Sequence, residues 1–363
     1  MLKVTAIVAF FSVFIVSCST EEKPLTKEES VAFAKKIEIS MGKRNGKVLD
    51  EAIDEKALFK KMDLASDKDS RAFKSGLKEG MTIGTKLVAA LSTKGSYSFI
   101  KHYEKNNVHH LLFRIYDNGM MNYHDLELKR TNGEPRVADI YIYLNGESLS
   151  ATLKNVYAQL KDEFKRSADE SATWIGKMPE IRTLITAGKH NEALEIYNRM
   201  PDRIKKGRMF QVMHMEICSG LTSEEYTRAI AEYQTLYPNE PNMQLLMIDG
   251  YVLRKDYEKA LGAVEELDKM IDKDPLLDFH RAMCYTLLKN EPKRLEYLER
   301  LVKNLPDFEE GVLELIADYL ESNEYEKAKP LIVKFKNNSD FDQSALTTLL
   351  YRYPDYNEKY NSK

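Results

Sequence analysis

Three cysteines and one tryptophan in 363 residues rule out a scaffold built on disulfides. Such frameworks need several paired cysteines in a short chain. Here Cys18 stands alone near the start, and Cys218 and Cys284 lie 66 residues apart in apolar, helix-patterned stretches. Two buried free thiols are expected there, because free cysteine behaves as a small hydrophobe. A disulfide between them is the alternative. Glycine is sparse too, and Gly80, Gly84 and Gly95 are too scattered for a phosphate-cradling loop. No Gly-Lys-Ser/Thr, His-Glu-x-x-His or Gly-x-Ser-x-Gly motif occurs. The familiar signatures of nucleotide, zinc-protease and serine-hydrolase chemistry are therefore missing. Charge lacks a dominant sign, with 54 basic residues against 57 acidic and a net of -3. Nucleic acid is thus not an expected partner, since its recognition needs a basic footprint. The expectation is a non-enzyme without cofactor or metal.

What is present begins with an apolar run, Val4 to Val16, just after Lys3. Its 13 residues fall short of the about 20 that cross a bilayer. Ser19, Thr20, Glu21 and Glu22 follow and do not enter hydrocarbon. A positive start, a short apolar region and a small-residue boundary read as a signal peptide. The stretch Ile15-Val16-Ser17-Cys18 resembles a bacterial lipobox. That resemblance implies residues 1–17 as signal, acylation of Cys18 (palmitate among the chains), and residues 18–25 as a tether. Two or more acyl chains give stable membrane anchoring where one gives only marginal binding. Ser19 lacks the acidic residue that holds some lipoproteins at the inner membrane, and Thr20-Glu21-Glu22-Lys23 resembles acidic surface-export signals of Bacteroidota. The expected location is the outer membrane or cell surface, lipid-anchored and extracytoplasmic. An ordinary secreted protein or an uncleaved anchor helix are the alternatives. Loss of Lys3 leaves 53 basic against 57 acidic residues, with Lys and Glu interleaved as on solvated helix faces.

The body has two organisations, so the fold class is multidomain. Residues 26–164 read as an α+β domain, helices and then a four-stranded antiparallel meander. Thr26 with Glu29 suggests a capping box. Ala32, Phe33, Ile37 and Ile39 to Met41 suggest an apolar stripe, and Val48–Met62 and Ser70–Leu91 two more helical segments. From Ser96 the hydrophobic period becomes two. Strands are expected over Tyr97–Lys105, Val108–Tyr116, Met121–Arg130 and Arg136–Leu144, joined at Asn106-Asn107, Asp117-Asn118-Gly119 and Thr131-Asn132-Gly133. Asn and Gly supply the positive φ of tight hairpins. Ile100, Leu111, Phe113, Ile115, Leu126, Leu128, Ile140, Ile142 and Leu144 share the phase assigned to the core. His102, His109 and His124 share it too. Leu111 opposite His102 and Phe113 opposite His124 separate the three, which argues against a metal site. Tyr97, Tyr103, Arg114, Tyr123, Asp125, Asp139, Tyr141 and Tyr143 take the other phase, expected to be solvated or to meet another domain or a partner. The element order resembles the cone-shaped nuclear transport factor 2-like and cystatin-like domains. The phrases Asn122-Tyr123-His124-Asp125 and Asp139-Ile140-Tyr141-Ile142-Tyr143-Leu144 resemble N-terminal domains of tetratricopeptide lipoproteins of Bacteroidota. That resemblance implies an architecture and names no chemistry.

A helix from Glu147 to about Phe164 leads to a polar linker at 165–170. Then a period of 34 sets in, with Tyr251, Tyr285 and Tyr319 in one phase and Ala260, Arg294 and Ala328 in another. Such a period marks helix-turn-helix arrays. Asp256-Tyr257-Glu258-Lys259-Ala260 and Glu324-Tyr325-Glu326-Lys327-Ala328 resemble the second-helix start of the tetratricopeptide repeat. Shifted blocks start at Lys189 and Glu225, and Pro238, Pro275 and Pro306 sit at the terminating proline. An all-α solenoid of about five repeats is expected over 171–340, capped by 341–363, with Trp174 at the junction. Arg294 departs from the pattern, standing where a small residue belongs. In the tetratricopeptide register the concave face receives Leu245, Asp249, Val252, Phe279, Met283, Leu287, Leu313, Ala317 and Leu320. Apolar grooves of this kind take a helix or extended peptide, so the expected function is an envelope scaffold with a protein partner there. Filling of the groove by the chain's own N-terminal domain or C-terminal segment is the equal alternative. The rival function is a small-molecule-binding or enzymatic N-terminal domain with the repeats docking it; a spacer without a client is the third.

Overall fold

A computed structural model describes residues 22–117, 119–164, 171–238 and 243–361. The expected signal segment, Cys18 and the 165–170 linker lie outside the described residues. The chain runs from helices through a five-stranded antiparallel sheet into a long all-helical region. No helix among the described residues is long and apolar enough to cross a membrane.

Thr26 starts α1 (Lys27–Gly42) as expected. Its hydroxyl accepts from the Glu29 N–H at 3.1 Å, and the Glu29 carboxylate accepts from the Thr26 N–H at 2.8 Å. The buried stripe is Ser30, Ala34, Ile37 and Met41, at helical spacing. Ala32 and Ile39, expected in that stripe, face outward. The two further segments each break in two, giving α2 (Lys47–Ala52), α3 (Glu55–Lys61), α4 (Lys68–Gly80) and α5 (Ile83–Ala90). Gly46 and Gly84 let α2 and α5 meet backbone to backbone. A Cβ on Gly46 would lie 2.1 Å from the Gly84 carbonyl carbon. Asp50 accepts from the Gly84 N–H at 2.6 Å and so caps α5.

The sheet order is β1 (Ser96–Lys105), β2 (Val108–Asp117), β3 (Met120–Thr131), β4 (Glu134–Ile142) and β5 (Glu147–Ser148). The fifth strand is an addition to the four expected. Asn106 and Asn107 both have positive φ, as do Asn132 and Gly133, so the hairpins close as tight turns. Two register breaks change the face assignments. At Phe99/Lys101 the bulge throws Ile100 to the opposite side from Phe99, so Tyr97 and Phe99 face the helices of the N-terminal half. Tyr97 stacks on Phe113 at 4.7 Å. This reverses the sequence-based phase of Tyr97 and Ile100. Ala138 is skipped at the second break, which lets both Val137 and Ile140 enter the same core. Leu144, expected in that core, packs on the other side.

Beyond α6 (Leu149–Phe164) the helices come in pairs: α7 (Ser171–Thr186) with α8 (His190–Asn198), and, after the short α9 (Asp202–Lys205), α10 (Arg208–Ser219) with α11 (Ser223–Leu236). Next come α12 (Met243–Leu253) with α13 (Tyr257–Ile271), α14 (Leu277–Leu287) with α15 (Glu291–Asn304), α16 (Glu309–Glu321) with α17 (Tyr325–Asn337), and α18 (Gln343–Tyr351) with α19 (Pro354–Asn361). Four of these pairs share one turn. The N–H groups of Lys189, Asp256, Asn290 and Glu324 reach back to the carbonyls of Leu184, Tyr251, Tyr285 and Tyr319, at 2.7–2.9 Å. The residue between, Gly188, Lys255, Lys289 or Asn323, is left-handed. This is the Schellman closure of a helix end. Four residues on, Ala193, Ala260, Arg294 and Ala328 are buried at equivalent places. Arg294 fits because its guanidinium donates to the buried Asp318 and lies 3.2 Å from Glu291.

The sheet therefore sits between two helical layers. One face packs on α1, α2, α3 and α5 around Ile37, Leu49, Leu58 and Phe113. The other, expected to be solvated, is buried by the helical region. Leu112, Tyr116, Met121 and Tyr123 join one core with Leu245, Ile248, Leu267, Leu276 and Leu277. The alternative of contact with another domain is the arrangement found. Cys218 and Cys284 are buried and free, and burial pushes both thiols up to about 11.

Candidate functional site

The seam between sheet and helical region takes in four of the nine expected groove residues. Leu245 and Leu320 are buried in the shared core. The Phe279 ring meets Phe308 edge-on at 5.3 Å, and Phe308 meets Tyr116 of β2 at 5.2 Å. The sheet thus covers the strip at this level, and Leu313 packs half-buried on the same core. Val252, Met283, Leu287 and Ala317 are half-buried. Asp249 is exposed and accepts from the Tyr226 hydroxyl at 3.1 Å. Trp174, expected at the junction, packs on the first helical pair beside Met178 and Leu184.

A buried polar cluster fixes the seam. Asp274, in the loop between α13 and α14, has no exposed side-chain surface. It accepts from Arg114 at 2.5 Å, from the Tyr123 hydroxyl at 2.8 Å and from the Leu276 N–H at 3.0 Å. Charged donors shorten and strengthen such bonds. Burial and the Asp274 carboxylate push the Tyr123 hydroxyl well above the ordinary tyrosine range. On the rim, Lys101 pairs with Asp272 at 2.9 Å and Lys94 with Glu309 at 3.1 Å.

Beside the seam opens a cleft of about 730 Å³, bounded by the sheet and the end of α13. Asp125 lines it. The carboxylate accepts from the Tyr103 hydroxyl and, 3.1 Å away, faces His110 Nδ1. Tyr103 stacks on His110 with ring centres 4.9 Å apart. Burial, then Asp125, pushes the Tyr103 hydroxyl far up. Tyr141 and Tyr143 line the same wall. A carboxylate facing Nδ1 fixes the orientation of the imidazole. The alternation puts Tyr103 and Asp125 on one face and gives no direct sign of His110. Counting from the Asn106-Asn107 turn, with His110 opposite Tyr103, is the signal that finds it.

The same count corrects the expected separation of the histidines. Leu111 does pair with His102 and Phe113 with His124. Yet His102 and His109 are diagonal neighbours, with Nε2 and Nδ1 2.8 Å apart. His124 is alone, buried beside Tyr97, and burial lowers its imidazole to about 4. Among the described residues, His102, Glu104 and His109 gather ligand atoms within 4.8 Å of one another. No protein family and no curated protein matches this chain.

Proposed function

We propose that this chain is a lipid-anchored envelope scaffold, tethered through Cys18 at the outer membrane or cell surface. Its helical pairs form a tetratricopeptide-like array that binds a partner protein. The observation that carries the reading is the recurrence of one helix-turn-helix closure in four pairs, three of them at the 34-residue spacing of Tyr251, Tyr285 and Tyr319. Stacked units of one geometry present extended surfaces for peptides or helices. The N-terminal sheet occupies the strip at Leu245 and Phe279. The partner surface is therefore the half-buried stretch of Met283, Leu287 and Ala317, flanked by the exposed Glu314 and Glu321. Two experiments test the two halves of the proposal. Cys18→Ala should abolish labelling by a radioactive fatty acid; unchanged labelling refutes the anchor. Purification from crosslinked membranes should recover partners with the native chain and lose them with Met283→Glu/Leu287→Glu, at unchanged melting temperature. Identical recovery refutes the groove.

The cleft supports a second reading, a small polar ligand held by the N-terminal domain. Tyr103 and His110 converging on one Asp125 is the observation that favours it. Pockets that bind small molecules combine apolar walls with a few placed polar groups.

A further inference from the structure

The β1–β2 hairpin carries a cluster of ligand atoms that the scaffold reading does not use. Its two-residue turn sets Glu104 opposite His109 and His102 opposite Leu111. Side chains two apart on a strand share a face, so His102, Glu104 and His109 all lie on one side. His102 Nε2 stands 2.8 Å from His109 Nδ1, and Glu104 Oε1 stands 3.8 Å from the same Nδ1. Two ring nitrogens that close share a single proton, and with Glu104 the three ligand atoms lie within 4.8 Å of one another. We propose that His102, His109 and Glu104 form a binding site for a late first-row divalent cation of the zinc class.

The geometry is near what such an ion needs. Metal–nitrogen bonds of about 2.0–2.1 Å at tetrahedral angles hold two nitrogens about 3.3 Å apart. The pair must open by about half an ångström, a small ring rotation. The donor ring moves its proton to its outer nitrogen, so both rings can bind as neutral ligands. Both rings are half-buried, which spares much of the desolvation, while Glu104 is exposed and free to swing in. Three protein ligands leave a fourth position for water. Imidazole with carboxylate favours Zn²⁺, Ni²⁺ or Cu²⁺ over Mg²⁺ and Ca²⁺.

The test is zinc titration of the full chain, purified without a histidine tag, by competition with a chromophoric chelator. One ion per chain is expected, with affinity reduced about a hundredfold in His102→Ala or His109→Ala and about tenfold in Glu104→Gln. His110→Ala, on the opposite face, should bind as the native chain does. Copper(II) bound to the native chain should show hyperfine coupling to two ring nitrogens by electron paramagnetic resonance, a readout independent of any variant. Absence of stoichiometric binding overturns the proposal. So does equal competition by Mg²⁺ or Ca²⁺, or unchanged affinity in folded His102→Ala.

Discussion

Replacing Asp274 tests how the two halves are joined. Its carboxylate is fully enclosed, and Arg114 beside it keeps only 8% of its side-chain surface exposed. The Arg114 Nε is buried without a hydrogen-bond partner. Asp274→Asn keeps the shape and an acceptor for the Leu276 N–H but leaves the guanidinium buried without a counter-charge. Breaking one side of a buried pair costs about 3–5 kcal/mol. Whole domains are stable by about 5–15 kcal/mol, so the loss is a large fraction. Arg114→Met removes the cation itself and should be milder. In the cycle built from both, a coupling of about 2 kcal/mol is expected, because residues in one buried network are not additive. Tyr123→Phe should add about 1 kcal/mol, the net worth of an ordinary hydrogen bond. The assay is urea unfolding read in parallel by far-ultraviolet circular dichroism and by fluorescence of Trp174, the single tryptophan, which lies in the first helical pair. Native protein should give coincident transitions, since one core spans sheet and helices. Asp274→Asn should shift or split them. A coupling below about 0.5 kcal/mol, within the error of independent sites, would refute the buried seam.

Acid should weaken the fold through His124. Its folded value is about 4 against 6.5 when unfolded. The unfolded chain therefore takes up the proton first, and stability present above pH 6.5 is lost as pH falls toward about 4, by up to about 3 kcal/mol. His124→Gln should flatten that part of a stability-against-pH curve, and an unchanged slope counts against a neutral buried imidazole. The left-handed turn residues make a second test. Lys255→Gly and Lys289→Gly should each stabilise by about 0.5–1 kcal/mol, and Gly188→Ala should destabilise by about 1 kcal/mol, because only glycine adopts that conformation without cost. A urea midpoint moving the other way would show that these turns close differently.

The elements most legible in the sequence were those fixed by local chemistry. The Thr26 capping box and the Asn106-Asn107 and Asn132-Gly133 turns depend on residues only a few positions apart. The 34-residue spacing of Tyr251, Tyr285 and Tyr319 was equally plain, because each tyrosine carbonyl receives the same turn bond. Two things were not. The bulge at Ile100 leaves no mark in an apolar run, where Phe99 and Ile100 suit either face, so plain alternation puts Tyr97 on the opposite side from the one it takes. The covering of the outer face was hidden as well. Tyr123, Arg114 and Asp125 read as solvated because polar tips suit water as well as they suit a partner. What buries Tyr123 and Arg114 lies 151 and 160 residues away, at Asp274. The histidine cluster is countable from the turn, because His102 and His109 meet diagonally and not straight across the strands.

The loop that carries Asp274 is built for that contact. Asp272 and Lys273 both adopt positive φ, at 54° and 77°. Non-glycine residues pay about 1–2 kcal/mol for this conformation, and two in succession are unusual. Among the described residues, the linkers between the other helical pairs contain none. A terminating turn needs one such residue at most, so closure of α13 does not explain both. The pair instead turns the chain so that Asp272 meets Lys101 and Asp274 enters beneath Arg114 and Tyr123. The exposed Asp272 pair contributes little, as surface ion pairs do. The conformational cost is offset at Asp274, where three donors converge on one carboxylate. Docking the sheet onto the helical region is therefore written into the backbone of this loop, and the half-buried stretch past Met283 is what that docking leaves open.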